Sequence, residues 1–296
     1  MAGKKHVGYK LATYRSKRGL RAALVIEDRV FDAAALTGKL AYATVVGILA
    51  DWKFAPAALR KAAARAGKSG SKNRIKSQPL AKTVLLAPVQ FPSAIYCAGA
   101  NYADHAAEMA ARDGKPPPPD PHGQGVKAWH FLKAPRAIAD PGAAVKISGY
   151  AQQMDWEVEL AAVIGRKAKD VPADEALAYI AGYTIANDLS ARDRGRRANV
   201  PEASPFRWDW TKHKTFDGSC PLGPWIVPAS DIGDPQKLAL KLWVNGVLKQ
   251  DSNTAEMIFT LAEQIEQLSA GMTLHPGDII LTGTPAGVPV RMRSPG

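Results

Sequence analysis

The sequence predicts an α+β protein in which strands predominate. The chain has 296 residues, of which 46% are hydrophobic, so it can bury one large core or two of ordinary size. After residue 125, short apolar runs alternate with turn residues, and Asn245-Gly246 between two of these runs favours a two-residue hairpin. Helical periodicity is confined to a few segments, which places the chain in the mixed class.

The first 90 residues are predicted to form a small N-terminal domain. Residues 8–45 indicate short strands and turns, and residues 56–66 indicate an alanine-rich helix with Gly67 just past its end. Residues 67–73 are rich in Gly, Ser and Lys, which predicts a flexible loop. We therefore expect a small α+β domain over residues 1–90 and a second domain over residues 91–296.

The second domain is predicted to combine strands with a few helices. We expect strands at residues 95–98, 183–186, 238–244, 247–250 and 278–282, and helices at residues 101–111, 173–181 and 254–270. Between residues 113 and 125, prolines remove backbone donors and exclude a helix or a central strand. This proline-rich segment is expected to be either an ordered loop beside the mouth of a site or a mobile lid.

The net charge of +12 is concentrated near the N-terminus. Residues 1–80 hold 17 of the 39 basic residues but only 4 of the 27 acidic ones. Such a segment can attract nucleic acid, but it lacks interleaved aromatic residues and any recognised nucleic-acid-binding motif. A solvated basic face is favoured, and we expect no nucleic-acid partner.

Hydropathy and cysteine content predict a soluble, cytoplasmic protein. The chain has no run of about 18 apolar residues, and its first residues lack the apolar stretch of a secretory signal. Its two cysteines, Cys97 and Cys220, are too few for a disulfide framework or a cysteine-based metal site. We therefore expect no membrane partner.

Two carboxylates, Glu157 and Glu159, lie two positions apart in an otherwise apolar run. On a strand they point to the same face, and two like charges removed from water need a counter-charge. A hard divalent cation meets that need, whereas an edge strand with a solvated face is the alternative. Asp188 follows another apolar run and is the candidate third ligand, although by itself it would suit a turn or cap. Three carboxylates favour Mg²⁺ or Mn²⁺ over Zn²⁺.

Five segments in order resemble the fumarylacetoacetate hydrolase family. They are NYADHAAEM from residue 101, EVEL from residue 157, NDLSARD from residue 187, KTFD from residue 214 with PLGP from residue 221, and GD from residue 277 with TGTPAGV from residue 282. The resemblance covers roughly residues 90–290.

The resemblance implies a catalytic domain built as a twisted roll of mixed β-sheet, a small N-terminal α+β domain and a homodimer. It also implies that Glu157, Glu159 and Asp188 bind Mg²⁺ or Mn²⁺. Substrates of the family are small 2-oxo acids, often with a second carbonyl. Such an acid can chelate the cation through its carboxylate and keto oxygens, and the cation then stabilises the enolate formed when the adjacent C–C bond breaks.

His105 and Glu108 lie three residues apart on one predicted helix and share a face. The resemblance implies that this pair orients and deprotonates a water that attacks the distal carbonyl, and that Lys214 adds positive charge beside the enolate. Histidine suits the role because its reference pKa of about 6.5 lets it accept and return a proton near neutrality. Taken alone, His105 would more often be a histidine with a satisfied structural hydrogen bond.

Three further residues are candidate substrate contacts. Thr284 is expected to bind the substrate carboxylate through its hydroxyl or backbone N–H, and Gly283 allows the close backbone approach. Arg192 either binds a distal anionic group or forms a structural pair with Asp193 or a nearby carboxylate.

The chain departs from the family pattern beside Arg192. Hydrolytic members usually carry a glutamine three residues after this arginine, where this chain has Gly195. The following segment, residues 196–211, contains Phe206, Trp208 and Trp210 together with two prolines, which predicts a bulkier or more aromatic pocket wall.

The function predicted is that of a metal-dependent hydrolase that cleaves the C–C bond of acylpyruvate-like or fumarylacetoacetate-like diketo acids. Gly195 leaves open a 2-oxo acid decarboxylase, hydratase or isomerase that uses the same enolate chemistry. A polyanion-binding protein that uses the basic first 80 residues is a remote alternative, because it leaves the carboxylates unexplained.

Overall fold

The structure, a computed structural model, describes residues 8–67, 76–146, 149 and 151–289. Most of the predicted loop at residues 67–73 lies outside these ranges. Within them, no helix combines the length and the apolar character that a membrane span requires.

The described residues of the N-terminal part form a five-stranded sheet with three α-helices. Its elements are β1 (Lys10–Ser16), β2 (Gly19–Ile26), β3 (Arg29–Asp32), α1 (Ala33–Thr37), α2 (Val45–Ala50), α3 (Ala55–Gly67), β4 (Gln78–Pro79) and β5 (Leu85–Leu86). The strand order is β4-β3-β2-β1-β5, and α3 confirms the predicted alanine-rich helix.

The prediction of only strands and turns over residues 8–45 is wrong for its second half, where α1 and a 3₁₀ turn at Leu40–Ala43 occur. The carboxylate of Asp32 accepts a hydrogen bond from the Ala35 N–H at 2.9 Å and so caps α1. Helix α1 has only five residues, and its sequence lacks a helical repeat long enough to be recognised.

The described residues from 95 onwards form a six-stranded central sheet, several short strands outside it and five helices. The strands are β6 (Ile95–Ala98), β7 (His130–Lys133), β8 (Ile138–Ala139), β9 (Met154–Asp155), β10 (Val158–Ile164), β11 (Ile180–Asn187), β12 (Ser190–Ala191), β13 (Cys220–Pro221), β14 (Val227–Pro228), β15 (Ala239–Val244), β16 (Val247–Asn253) and β17 (Ile279–Leu281). The helices are α4 (Ala103–Arg112), α5 (Ala173–Ala176), α6 (Arg192–Gly195), α7 (Trp210–Lys214) and α8 (Leu261–Gly271). Sheets and helices coexist in one chain, so the α+β class is confirmed.

The central sheet places β10 in its interior. Its order is β14-β11-β10-β17-β6-β7, with β10 antiparallel to both neighbours and β17 parallel to β6. All seven residues of β10 are buried. The alternative of an edge strand with a solvated carboxylate face is therefore wrong.

Two predicted helices were too long. The helix predicted at residues 173–181 ends at Ala176, continues as a 3₁₀ turn and gives way to β11 at Ile180. The helix predicted at residues 254–270 begins at Leu261, because Thr260 and Glu263 form a capping box that fixes its N-terminus.

The predicted hairpin is confirmed between β15 and β16. Asn245 has φ of 51° and Gly246 has φ of 77°, as a two-residue hairpin turn of this kind requires.

The N-terminal sheet and the central sheet share one hydrophobic core. Leu11 and Leu24 of the first sheet belong to the same buried cluster as Ala161 and Leu281 of the second. The backbones of Leu11 and Ile226 exchange two hydrogen bonds, of 2.9 and 2.7 Å. The predicted boundary near residue 90 stays a prediction, but the parts on either side of it pack as one body around this core.

Candidate metal centre

Glu157, Glu159 and Asp188 converge at one point of the structure. One oxygen from each carboxylate lies within 4.8 Å of the others, and the three residues are 5%, 1% and 1% exposed. The antiparallel pairing of Val158 with Asn187 brings the start of β10 beside the end of β11, where these residues lie. The structure thus brings together the three ligands that the sequence predicted.

Two buried lysines hold the carboxylates of this triad. The Nζ of Lys214 lies 2.6 Å from Glu157 Oε2 and 2.6 Å from Asp188 Oδ2. Lys133 Nζ lies 2.5 Å from Asp188 Oδ1, and it also donates to the carbonyl of Ser219 at 2.7 Å. Lys214 was predicted beside the site, whereas Lys133 was missed.

Arg192 completes the ring of cations. Its guanidinium pairs with Glu157 Oε1 and with Asp155, whose Oδ2 lies 2.6 Å from Nε. Of the two alternatives for Arg192, the structure shows the pair with a nearby carboxylate. That carboxylate is not Asp193, which accepts hydrogen bonds from the backbone N–H groups of Gln152 and Gln153. Asp155 was missed, although its position two residues before Glu157 carried the same alternation signal.

The pKa values of Glu157 and Glu159 are shifted in opposite directions, because the positive charges lie closer to Glu157. Burial alone would raise the pKa of Glu157, but Lys214 and Arg192 outweigh it and hold that pKa at about 2. Burial, together with Asp188 and Glu157, raises the pKa of Glu159 well above its ordinary value. Within the described part of the chain Glu159 forms no ion pair, and its Oε2 accepts only the Gly283 N–H at 2.7 Å.

The donor set fits a hard divalent cation. Three carboxylates offer only oxygen ligands, as Mg²⁺ and Mn²⁺ prefer, and the ionised form of Glu159 needs more positive charge than the neighbouring side chains supply. Glu157, Glu159 and Asp188 are the residues that would hold such an ion.

His105 and Glu108 lie on α4, one turn apart. His105 Nδ1 is 3.7 Å from Glu108 Oε2, and Glu108 is itself held by Arg112 at 2.7 Å and by the Gly287 N–H at 3.1 Å. The Nδ1 atom of His105 is buried and has no hydrogen-bond partner among the described residues. Burial lowers the pKa of His105, which keeps the imidazole neutral and able to accept a proton.

A cavity of about 200 Å³ connects His105 with Arg192. It is lined by residues of four segments of the chain, among them His105, Gln152, Asp155, Arg192 and Val288. The cavity therefore brings His105 to the pair formed by Asp155 and Arg192, and it adjoins Glu157 through the Arg192 guanidinium.

The turn that contains Gly283 and Thr284 supports the triad. The Gly283 N–H is used by Glu159, and its φ of 93° together with a Cβ position 2.9 Å from Asn101 Cβ explains why glycine is needed there. The Thr284 hydroxyl donates to the Val158 carbonyl at 3.0 Å and accepts from Gln250 at 2.9 Å. The Thr284 hydroxyl thus has two partners within the protein, and the predicted contact of Thr284 with substrate stays a prediction.

Gly195 lies against the ring of His213. A Cβ at position 195 would lie 2.8 Å from His213 Nδ1, so a side chain there would displace the imidazole. Burial, Lys214 and Arg192 lower the pKa of His213 to about 3, so the ring is neutral. Its Nε2 lies 3.5 Å from Arg192 Nη1.

Replacing Lys133 with methionine is expected to destabilise the metal-free protein by about 3–5 kcal/mol, because it leaves the buried Asp188 carboxylate short of a partner. The measurement is urea unfolding in EDTA. The matched control is Lys241→Met, since Lys241 and Asp251 form an exposed pair at 3.1 Å whose loss should cost less than about 1 kcal/mol. Equal losses in the two variants would show that Lys133 has no special part in the centre.

The sequence is similar to one protein family and to several of its members. A model of the C-terminal domain of fumarylacetoacetate (FAA) hydrolase matches residues 94–295. Protein Rv2993c of Mycobacterium tuberculosis is 46% identical over 213 residues, which cover 72% of each chain. The mitochondrial oxaloacetate tautomerase FAHD2B of Bos taurus is 42% identical over 217 residues, which cover 73% of this chain and 63% of the bovine protein.

A solved structure shows the same overall arrangement. Maleylpyruvate hydrolase from Sphingobium sp. SYK-6, in complex with manganese(II) ion and pyruvate, superposes with a TM-score of 0.69 and 29% identity. The superposition covers 95% of this chain and 90% of that one.

Proposed function

The chain belongs to the fumarylacetoacetate hydrolase family, and from this premise we propose that it is a divalent-metal-dependent hydrolase of small diketo acids. The substrates proposed are acylpyruvate-like or fumarylacetoacetate-like acids, in which a C–C bond joins an acyl group to a 2-oxo acid. The observation that carries the proposal is the buried triad of Glu157, Glu159 and Asp188 beside a neutral His105. Within the family, this pairing of an oxygen-ligand centre with a base suits hydrolytic cleavage.

The ion expected at the triad is Mg²⁺ or Mn²⁺. The all-oxygen donor set supports this choice, and the similar Sphingobium enzyme binds manganese. When bound, the cation supplies Lewis-acid stabilisation of the negative charge that develops on the 2-oxo acid.

The side chains divide the remaining steps among them. His105 takes a proton from water, and Glu108 orients the imidazole through its Nδ1 side. The hydroxide adds to the distal acyl carbon, the C–C bond breaks, and the electron pair passes to the 2-oxo acid fragment as an enolate. The Lys214 ammonium, which burial disfavours but Asp188 and Glu157 stabilise, provides a positive charge beside that enolate. The proton held by His105 returns to the enolate carbon, so the products are a carboxylic acid and a 2-oxo acid.

A second candidate is keto–enol tautomerisation of oxaloacetate. It is favoured by the bovine relative of that name and by Gly195, which stands where hydrolytic members of the family usually carry a glutamine. The same His105 would move a proton between carbon and oxygen, with the Lys214 ammonium beside the enolate and no attack by water. Decarboxylation or hydration of a 2-oxo acid would use the same groups.

A substrate screen tests the proposal directly. Protein treated with EDTA is assayed on acetylpyruvate, fumarylacetoacetate and oxaloacetate before and after addition of Mg²⁺ or Mn²⁺. Metal-dependent release of pyruvate from acetylpyruvate supports the hydrolase. Metal-dependent loss of enol-oxaloacetate without cleavage of either diketo acid supports the tautomerase, and activity that persists in EDTA contradicts both.

The pH dependence of hydrolysis should report the burial of His105. Because burial lowers its pKa below the ordinary value of about 6.5, the neutral base persists as pH falls, and kcat/KM should decline only below pH 6.5. The Glu108 carboxylate raises the pKa of His105 and so opposes the effect of burial. Glu108→Gln should therefore move the decline of kcat/KM on the acid side of the profile to still lower pH. The measurement is kcat/KM against pH for both proteins, and a limb above pH 6.5 would exclude His105 as the base.

A further inference from the structure

Four aromatic side chains form a continuous surface beside the centre. This aromatic wall consists of Trp129, Phe131, Trp208 and Trp210. Trp210 lies at its middle, with ring centroids 5.4 Å from Trp129, 5.4 Å from Phe131 and 6.3 Å from Trp208. The rings of Phe131 and Trp210 are inclined by 27° and those of Trp208 and Trp210 by 19°, so a planar group could extend their stack.

The wall begins at the residues that hold the triad. The Lys214 Nζ lies 5.3 Å from the centroid of the Phe131 ring, and the His213 ring lies 5.5 Å from that of Trp210. A molecule whose oxygens lie beside Lys214 therefore has the Phe131 ring next to it, and the Trp210 ring stacks on that of Phe131.

The indole rings are open to solvent. Trp129, Trp208 and Trp210 are 43%, 49% and 41% exposed. A cluster of large aromatic side chains at the surface leaves apolar area in contact with water, which is favourable to cover with a ligand. Gly99 lets the Trp129 ring lie directly on the end of β6, since a Cβ there would be 2.0 Å from the indole.

Two cations near the wall, Arg192 and Lys214, are already paired with carboxylates. Arg192, the predicted contact for a distal anion, is engaged by Asp155 and Glu157. Lys214 is likewise engaged by Glu157 and Asp188. A second carboxylate on the substrate would have to displace these buried pairs, whereas an apolar ring would not.

We propose that the aromatic wall binds a planar apolar arm of the substrate, so that the preferred substrates are 2,4-dioxo acids with an aromatic ring on the distal carbonyl. This inference rests on the proposed function, because it names the substrate class of the same site.

The test compares benzoylpyruvate with acetylpyruvate under saturating Mg²⁺. We expect kcat/KM to be higher for benzoylpyruvate, and the ratio of the two values to fall about tenfold in Trp210→Ala, since an aromatic pair contributes roughly that factor. Trp210→Phe should keep most of the ratio. Trp243→Ala is the matched control, because Trp243 is 57% exposed on the β15 strand of the hairpin and should leave the ratio unchanged.

Two results would overturn the inference. The first is a ratio that Trp210→Ala and Trp208→Ala both leave as in the wild type. The second is an equal loss on both substrates together with a lower mass by light scattering, which would assign the wall to a contact between two copies of the chain.

If no 2-oxo acid is turned over at all, the proposed function is wrong, and the aromatic wall is then tested by measuring ligand binding. Intrinsic tryptophan fluorescence is then titrated with phenylpyruvate and with pyruvate in the presence of Mn²⁺. Tighter binding of phenylpyruvate by about tenfold, lost in Trp210→Ala, would support the aromatic site. Equal affinities would refute it.

Discussion

Replacing Glu159 with glutamine is expected to abolish metal binding and to lower kcat by about three orders of magnitude. The variant loses a charged oxygen ligand of the triad, and Lewis-acid stabilisation of the transition state is worth several kcal/mol. The measurements are titration calorimetry with Mn²⁺ and turnover of the substrate identified by the screen. Glu175→Gln on the exposed surface of α5 is the control and should change neither quantity.

Glu159→Gln should not unfold the protein, so that its loss of activity can be attributed to the missing metal ligand. Burial with Asp188 and Glu157 raises the pKa of Glu159, so ionisation of this carboxyl opposes folding when no cation is bound. In EDTA, the neutral Glu159 carboxyl contributes to the free energy of unfolding of the wild-type protein. This contribution is fully present below the pKa of about 4.3 that a glutamate has in the unfolded chain, and it is lost as pH rises through the pKa of Glu159 in the folded protein. Glu159→Gln removes this dependence, so its melting temperature in EDTA should match that of the wild type at low pH and exceed it as pH rises. Full turnover in Glu159→Gln, or a collapse of its melting temperature in EDTA, would contradict the assignment of Glu159 as a ligand.

Replacing His105 with alanine is expected to lower hydrolysis of acetylpyruvate by about 10²–10⁴-fold, because a positioned general base contributes that factor. Its imidazole is neutral and lines the cavity, as a base that accepts a proton from water must be. Affinity for Mn²⁺ should stay near the wild-type value, since His105 is not one of the triad carboxylates.

Oxaloacetate assayed in parallel makes this experiment specific. Decarboxylation of oxaloacetate needs the cation but no attack by water, so His105→Ala should retain most of it. His275→Ala, at an exposed histidine, serves as the control for both reactions. Equal losses on acetylpyruvate and oxaloacetate would show that His105 acts in proton transfer to the 2-oxo acid rather than in activation of water.

The triad was predictable because its signal is local. Alternation along a strand places Glu157 and Glu159 on one face whatever the rest of the chain does, and their burial follows from the apolar residues around them. The position of Asp188 depends on the pairing of β10 with β11, which the sequence shows only as two apolar runs. The family resemblance supplied that long-range contact.

Lys133 was not predictable in the same way. It is the last residue of a strand that pairs with β6, and it reaches Asp188 and the Leu189 carbonyl, 56 residues further along the chain than Lys133, only through three-dimensional packing. The buried carboxylates demanded cations, but charge balance alone does not say which lysine supplies them.

The aromatic wall was predicted in part. Trp208 and Trp210 were visible as an unusual concentration of aromatic residues in one segment. Trp129 and Phe131 come from β7 and the residue before it, and only tertiary packing brings them to Trp210. Helix limits were missed where a cap or a following strand, rather than hydrophobic periodicity, ends the helix.

The packing of His213 against Gly195 means that these two positions constrain each other during evolution. The His213 ring occupies the volume that a side chain at position 195 would need. A larger residue at position 195 alone would therefore collide with the ring, and a smaller residue at position 213 alone would leave a void. Such pairs show epistasis, in which the effect of one change has the opposite sign after the other. An alignment of relatives should therefore show covariation, with a small residue at one of these two positions wherever the other is large.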